Sequence, residues 1–211
     1  MIHDLTITMD ENTLPFPDSG DPHMTWTHLV DHNGYKCQVS LFSMVTHIGT
    51  HADAPLHFIK QGKTTDQIDL ASYCGNAVCL EMTDPGSGDE IDINEMMAKN
   101  RDLIKPGDII ILYTGWEDKV GTPEYFDYKN FAENTGAILE KYEACGIGFD
   151  MPSIDRNGLA HQAVLERGMG IIESLVNLKP LVGKRFYFSA VPLKFRDGDG
   201  SPVRAYAVTS D

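Results

Sequence analysis

Positive charge is scarce in this sequence: 17 Lys and Arg stand against 31 Asp and Glu, a formal net charge of −14. A field of that sign repels phosphate backbones, and no basic cluster interrupts it, which argues against a nucleic-acid partner. It equally opposes an anionic substrate unless a local cation inverts it, as a multivalent metal ion can. Long apolar runs are missing as well. None approaches the ~18 residues that a membrane helix needs, so no membrane partner is expected. The opening MIHDLTITMDENT has neither the basic nor the apolar region of a secretory signal, and a cytoplasmic protein is expected. Cysteine is sparse too. Cys37, Cys74, Cys79 and Cys145 show no CxxC spacing, and they read as free, mostly buried thiols rather than a thiolate metal site.

What is present suits one domain, residues 1–211, with a full core: 42% hydrophobic and 23% charged residues. Residues 3–9 alternate polar and apolar as a half-buried strand does, and 13–22, with three prolines and a glycine, must be a loop. Strands are expected at 24–30, 35–46, 76–82 and 108–116, the last buried on both faces. Asp92 or Asn94 caps a helix to about Arg101. Between Pro123 and Cys145, the residues Phe131, Thr135, Ile138, Leu139 and Tyr142 form an amphipathic stripe closed by Gly146. A strand at 146–151, a short helix over HQAVLERG, and strands at 184–195 and 203–209 around the turn RDGDGSP complete the pattern. Strands outnumber helices, so the expected class is α/β with a mixed sheet, or a closed barrel with outer helices.

Histidine is concentrated in one place. HIGTHADAPLHF, residues 47–58, holds His47, His51 and His57 around Asp53. A straight strand, at ~3.3 Å per residue, would hold His47 and His51 roughly 13 Å apart, too far to share an ion bonded at about 2 Å. A straight helix stacks those two but throws Asp53 roughly 120° off their face. Only a bent chain converges them. Gly49 supplies the freedom to bend, and Pro55 opens a following helix or a tight turn that carries His57. Imidazole with carboxylate suits zinc, manganese or a similar divalent ion.

HIGTHADAPLHF closely resembles the HxGTHxDxPxHF signature of the cyclase-like metal-dependent hydrolases, among them the bacterial kynurenine formamidases. GFDMPSID (148–155), HQAVLERGMGIIESLVNL (161–178) and PLKFRDGDGSPVRAYAV (192–208) resemble further blocks of that family, in family order. The resemblance implies a swivelling β/β/α fold and a two-metal site. His47, His51 and Asp53 match ligands, with Asp53 able to bridge. His161 and Glu173 match ligands from the other half, and His57 matches the catalytic histidine. On residues alone, His161 falls on the short helix and Glu173 on the strand IIES, where a buried carboxylate needs a partner. Asp150 and Asp155 are expected to cap turns or to orient ligand histidines. The family's N-terminal aromatic that covers substrate is matched by Phe16 in LPFP, although here the loop runs on through DSGDPH. The implied activity is hydrolysis of an aryl formamide or cyclic amide in a homodimer or larger assembly. Lactone hydrolysis, a non-hydrolytic cyclase or lyase reaction, and metal binding without catalysis stay open.

Overall fold

The computed structural model describes residues 1–17, 20–84 and 90–210. Among them, nine strands form one curled sheet: β1 (Ile2–Asp4), β4 (His51–Asp53), β5 (Cys74–Glu81), β6 (Ile109–Tyr113), β7 (Gly146–Phe149), β8 (Gly170–Glu173), β9 (Arg185–Ser189), β10 (Gly200–Pro202) and β11 (Tyr206–Val208). Two more, β2 (Thr25–Val30) and β3 (Val39–Ser43), pair as a separate ribbon. The order is β1-β11-β9-β5-β6-β7-β8-β4-β10. The β5–β8 centre is parallel and the flanks are antiparallel.

Only Val203–Ala205 separate β10, at one edge, from β11 near the other, so the sheet must curl until its margins approach. Val203 N donates to Thr50 O and Leu5 N to Ala205 O, each at 3.0 Å, and Thr6 bridges to Leu175. The mixed, barrel-like sheet with outer helices is therefore as expected.

Alternation along the strands divides the core. Ala77 and Cys79 on β5, Ile109 and Ile111 on β6, and Phe186 and Phe188 on β9 fill the inside of the curl. Val78, Leu80, Ile110, Leu112 and Ile171 face outward, under α1 (Asn94–Lys99), α2 (Thr135–Lys141) and α3 (Leu159–Leu165). All of β6 is buried, which matches its uninterrupted apolar run. Asp92 Oδ1 accepts from Asn94 N at 2.8 Å at the start of α1.

Several sequence expectations need correction, among them the strand at 184–195, which ends at Ser189. The strand at 3–9 stops at Asp4 apart from the bridge at Thr6, because Ile7 N turns to the Thr50 hydroxyl at 2.9 Å. The segment 35–46 is a strand only at Val39–Ser43. The stripe from Pro123 to Cys145 is not one helix. A 3₁₀ turn at Pro123–Phe126 and the α2 helix flank an extended Phe131, whose N–H donates to Ile154 O at 2.8 Å. RDGDGSP is not a simple hairpin turn either, since it carries the chain to β10, which pairs with β4. All four cysteines are free, but only Cys79 is buried and Cys37 is exposed. Asp18 and Ser19 of the proline-rich loop lie outside the described residues.

Candidate metal centre

The histidine run bends where its glycine stands. Gly49 adopts φ +59°, and a Cβ there would lie 2.7 Å from Met9 Sδ. The turn swings His47 back over β4, so that the His47 and His51 rings meet edge to face at 5.2 Å. Pro55 opens a single 3₁₀ turn, Pro55–His57, which returns His57 until its ring stacks on His47 at 3.7 Å.

β4 lies between β8 and β10, with His51 opposite Glu173 and Asp53 opposite Gly200. Side chains two apart on a strand share a face, which places His51 and Asp53 together. That face is the outer one, because Ala52 between them points into the curl. The α3 helix delivers His161 from the other side. The carboxyl ends of parallel strands are the usual place for such a site, and Glu173 is the last residue of β8.

Three imidazoles are built alike, one nitrogen pinned and the other turned to the carboxylates. His51 Nδ1 lies 2.8 Å from Gly49 O, and its Nε2 lies 3.5 Å from Asp53 Oδ1 and 3.3 Å from Glu173 Oε2. His161 Nδ1 lies 2.5 Å from Asp155 Oδ1, and its Nε2 lies 3.7 Å from Asp53 Oδ2 and 3.4 Å from Glu173 Oε1. His47 Nδ1 lies 2.8 Å from Asp53 Oδ1, with Nε2 3.1 Å from Asp199 Oδ2. Outer carboxylates and carbonyls of this kind orient ligand imidazoles in metal sites.

Asp53 is fully buried, and its Oδ2 has no hydrogen-bond partner. An orphaned buried carboxylate oxygen is costly. A cation among these nitrogens would satisfy it, so the donor set fits a divalent ion. His47, His51 and Asp53 form one group able to hold a metal, and Asp53, His57 and His161 form another.

The electrostatics agree with that need for positive charge. Burial opposes ionisation of Asp53 and Glu173, yet the histidines facing them hold both carboxyls below their ordinary range. Burial likewise opposes charge on His47 and His161, but their carboxylate partners raise them to about 10 and about 9. His57 differs. Burial pushes it down to about 4, and among the described residues its ring nitrogens have no hydrogen-bond partner, only its backbone N–H donating to Ala54 O at 2.9 Å.

A cavity of about 240 Å³ opens beside His47 and His51, with Phe16, Leu14 and Phe126 in its wall. Phe16 meets Phe126 edge to face at 5.7 Å, so it packs on a neighbour while it lines the cavity.

The sequence matches the model of the family described as "Putative cyclase" over residues 3–156. The chain belongs to that family. A kynurenine formamidase of Salinibacter ruber is 31% identical over 219 residues, covering 96% of this chain and 94% of that one. An isatin hydrolase bound to the product analogue thioisatinate superposes with a TM-score of 0.85 at 22% identity, over 99% of this chain and 92% of that one. A potential metal-dependent hydrolase with cyclase activity gives 0.81 at 25%, over 98% and 96%.

Within this cyclase-family fold, the structure brings together all the residues singled out in the sequence: His47, His51, Asp53, His57, His161 and Glu173, with Phe16 nearby. Asp199 was not among them. It sits one residue before β10, its backbone carbonyl accepts from Ala54 N at 2.8 Å, and His47 lowers its carboxyl to about 2. A Cβ on the next residue, Gly200, would lie 2.5 Å from His47 Cε1, so only glycine lets the ring reach Asp199. The cluster of acids and glycines in RDGDGSP is the only sequence signal for it, and turns commonly share that composition. Asp155 does both things expected of it: it accepts from Ala160 N at the start of α3 and pins His161. Asp150 caps a turn, accepting from Thr114 N and Oγ1 at 2.9 and 2.6 Å and from Glu117 N at 3.3 Å at the exit of β6.

Proposed function

We propose that this protein is a metal-dependent hydrolase that cleaves a carbon–nitrogen bond of an aryl formamide or a cyclic amide. The observation that carries the reading is the convergence of three pinned histidines on two buried carboxylates, one with an orphaned oxygen. His47, His51, Asp53, His161 and Glu173 would hold two divalent ions, with zinc the first choice and manganese the second. Asp53 presents one oxygen toward His47 and His51 and the other toward His161, as a shared ligand should. Bound there, such ions lower the pKa of water and polarise a carbonyl. The positive centre also lets an electron-rich carbonyl approach a chain of charge −14.

The chain's own residues do the remaining work. His57, its ring stacked on His47 with neither ring nitrogen tied to a partner among the described residues, takes the proton of the attacking water and returns it to the leaving nitrogen. Asp155, Asp199 and the Gly49 carbonyl keep the three outer nitrogens from rotating away. Phe58, stacked on His161 at 4.1 Å, shields that side from water. The reading draws support from the formamidase and isatin hydrolase relatives as well as from the geometry.

A second copy of the chain is the proposed partner. The β2–β3 ribbon exposes Leu29, Leu41 and the stacked Trp26 and Phe42, an apolar surface of the kind subunits cover. Light scattering on the purified protein gives its mass directly, and a monomer at working concentration overturns that part.

The activity is tested with aryl formamides, cyclic imides and lactones on protein loaded with zinc or manganese, alongside elemental analysis. Turnover of amides with up to two ions per chain is expected. Protein that binds no divalent ion and turns over no amide would overturn the proposal.

A further inference from the structure

The cavity beside His47 and His51 says more about the substrate than the donor set does. Its volume, about 240 Å³, lies below the ~300–1,000 Å³ usual for drug-sized ligands, so a compact molecule fits. Phe16 and Phe126 offer an aromatic surface, and Ile7, Leu14 and Val120 add aliphatic walls. The hydroxyl of Tyr125 is already engaged by Ser174 Oγ at 3.0 Å and by the Asp150 carbonyl at 3.2 Å.

No lysine or arginine is among the described lining residues. The nearest in sequence, Lys119, holds its ammonium 3.3 Å above the Trp116 ring. The one carboxylate among the described lining residues is Asp10, which is exposed and held in place by its own turn. Its Oδ1 accepts from Asn12 N at 2.8 Å, its N–H donates to Thr13 Oγ1 at 2.9 Å, and its carbonyl accepts from Thr13 N at 3.0 Å.

A carboxylate at the Phe16 and Phe126 end of this cavity, away from His47 and His51, would give up water against apolar walls, meet no lysine or arginine and stand near the exposed carboxylate of Asp10. We infer that the cavity selects an uncharged aryl or bicyclic amide and rejects one bearing a distal carboxylate, with Asp10 as the specificity-determining residue. This rests on the hydrolase reading for the reaction but on the cavity alone for the selectivity. It separates two chemistries that the metal centre treats alike: a compact neutral cyclic amide, and a formamide carrying an amino-acid arm.

The test compares matched aryl formamides, one neutral and one with a distal carboxylate, on the zinc-loaded protein. Wild type, Asp10→Asn and Asp10→Lys are measured. Asparagine retains the turn, so it removes charge alone. Because Asp10 is exposed and screened by water, the wild-type preference for the neutral substrate in kcat/KM is expected to fall by about two- to fivefold in Asp10→Asn and further in Asp10→Lys. A carboxylate that reached the metals directly would do so in all three proteins, and the change in ratio cancels it. Equal use of both substrates by wild type, or a ratio untouched by Asp10→Lys, overturns the proposal. If no amide is turned over, the hydrolase reading fails by itself. Calorimetric binding of the same pair then reads the selectivity, with the same ordering expected and an affinity ratio unchanged by Asp10→Lys overturning it.

Discussion

Replacing Gly49 with alanine tests whether the bend at the centre of the site is built into the backbone. The residue sits at φ +59°, where an L side chain costs about 1–2 kcal/mol. The added Cβ would also meet Met9 Sδ at 2.7 Å and Cγ at 2.9 Å, though that side chain is flexible and can turn aside cheaply. Were the backbone at Gly49 ordinary, alanine would stabilise the protein by about 0.4–1 kcal/mol through the unfolded chain. The sign therefore discriminates. For a chain of this size each kcal/mol moves Tm by about 2–4 °C, so a fall of roughly 2–8 °C is expected after chelation of metal. The double variant Gly49→Ala/Met9→Ala separates backbone strain from the clash, and most of the loss should persist in it. Zinc should then restore less stability than in wild type, because the turn brings His47 to His51. A Tm equal to or above wild type, with full zinc uptake, would refute the reasoning.

Three further outcomes are expected. Asp53→Asn should lose most of both ions, and with each the stabilisation of about 2.7 kcal/mol that zinc at a hundredfold excess over a site's Kd gives wild type; full occupancy by elemental analysis would remove Asp53 from its shared role. His57→Ala should keep fold and metal while turnover falls by about 10²–10⁴. Since His57 also lies within reach of Asp53 and His161, metal loss in that variant would make it a ligand instead. Phe16→Ala should raise KM for an aryl substrate and leave Tm nearly unchanged, whereas a fall matching the ~3–5 kcal/mol of a lost core phenylalanine would show that Phe16 chiefly packs on Phe126.

Much of this site can be read along the chain because its central piece is local. Eleven residues from His47 to His57 carry three imidazoles and a carboxylate, and simple rises per residue exclude a straight strand or helix. A bend at Gly49 and a turn opened by Pro55 follow, and both are present. The buried β6 and the short α3 were equally plain, one from an unbroken apolar run and the other from its closing glycine.

Elements that depend on distant partners were not legible. Phe131 keeps helical spacing with Thr135 and Ile138, yet it is extended, because Ile154 O and the backbone at Ile91 claim its neighbourhood. Periodicity registers only neighbours in sequence, and a single long-range hydrogen-bonded bridge overrides it. The segment RDGDGSP reads as a turn by composition, but the curl of the sheet brings it beside β4 as a strand. That pairing aligns Gly200 with Asp53 and sets Asp199 against His47, 152 residues away in sequence. The sequence by itself determined the donor types, the local bend and the charge that calls for a cation. The pairing and curl of the sheet decided which carboxylate pins which histidine, and which aromatic and acidic side chains wall the cavity, because those contacts join segments far apart in sequence.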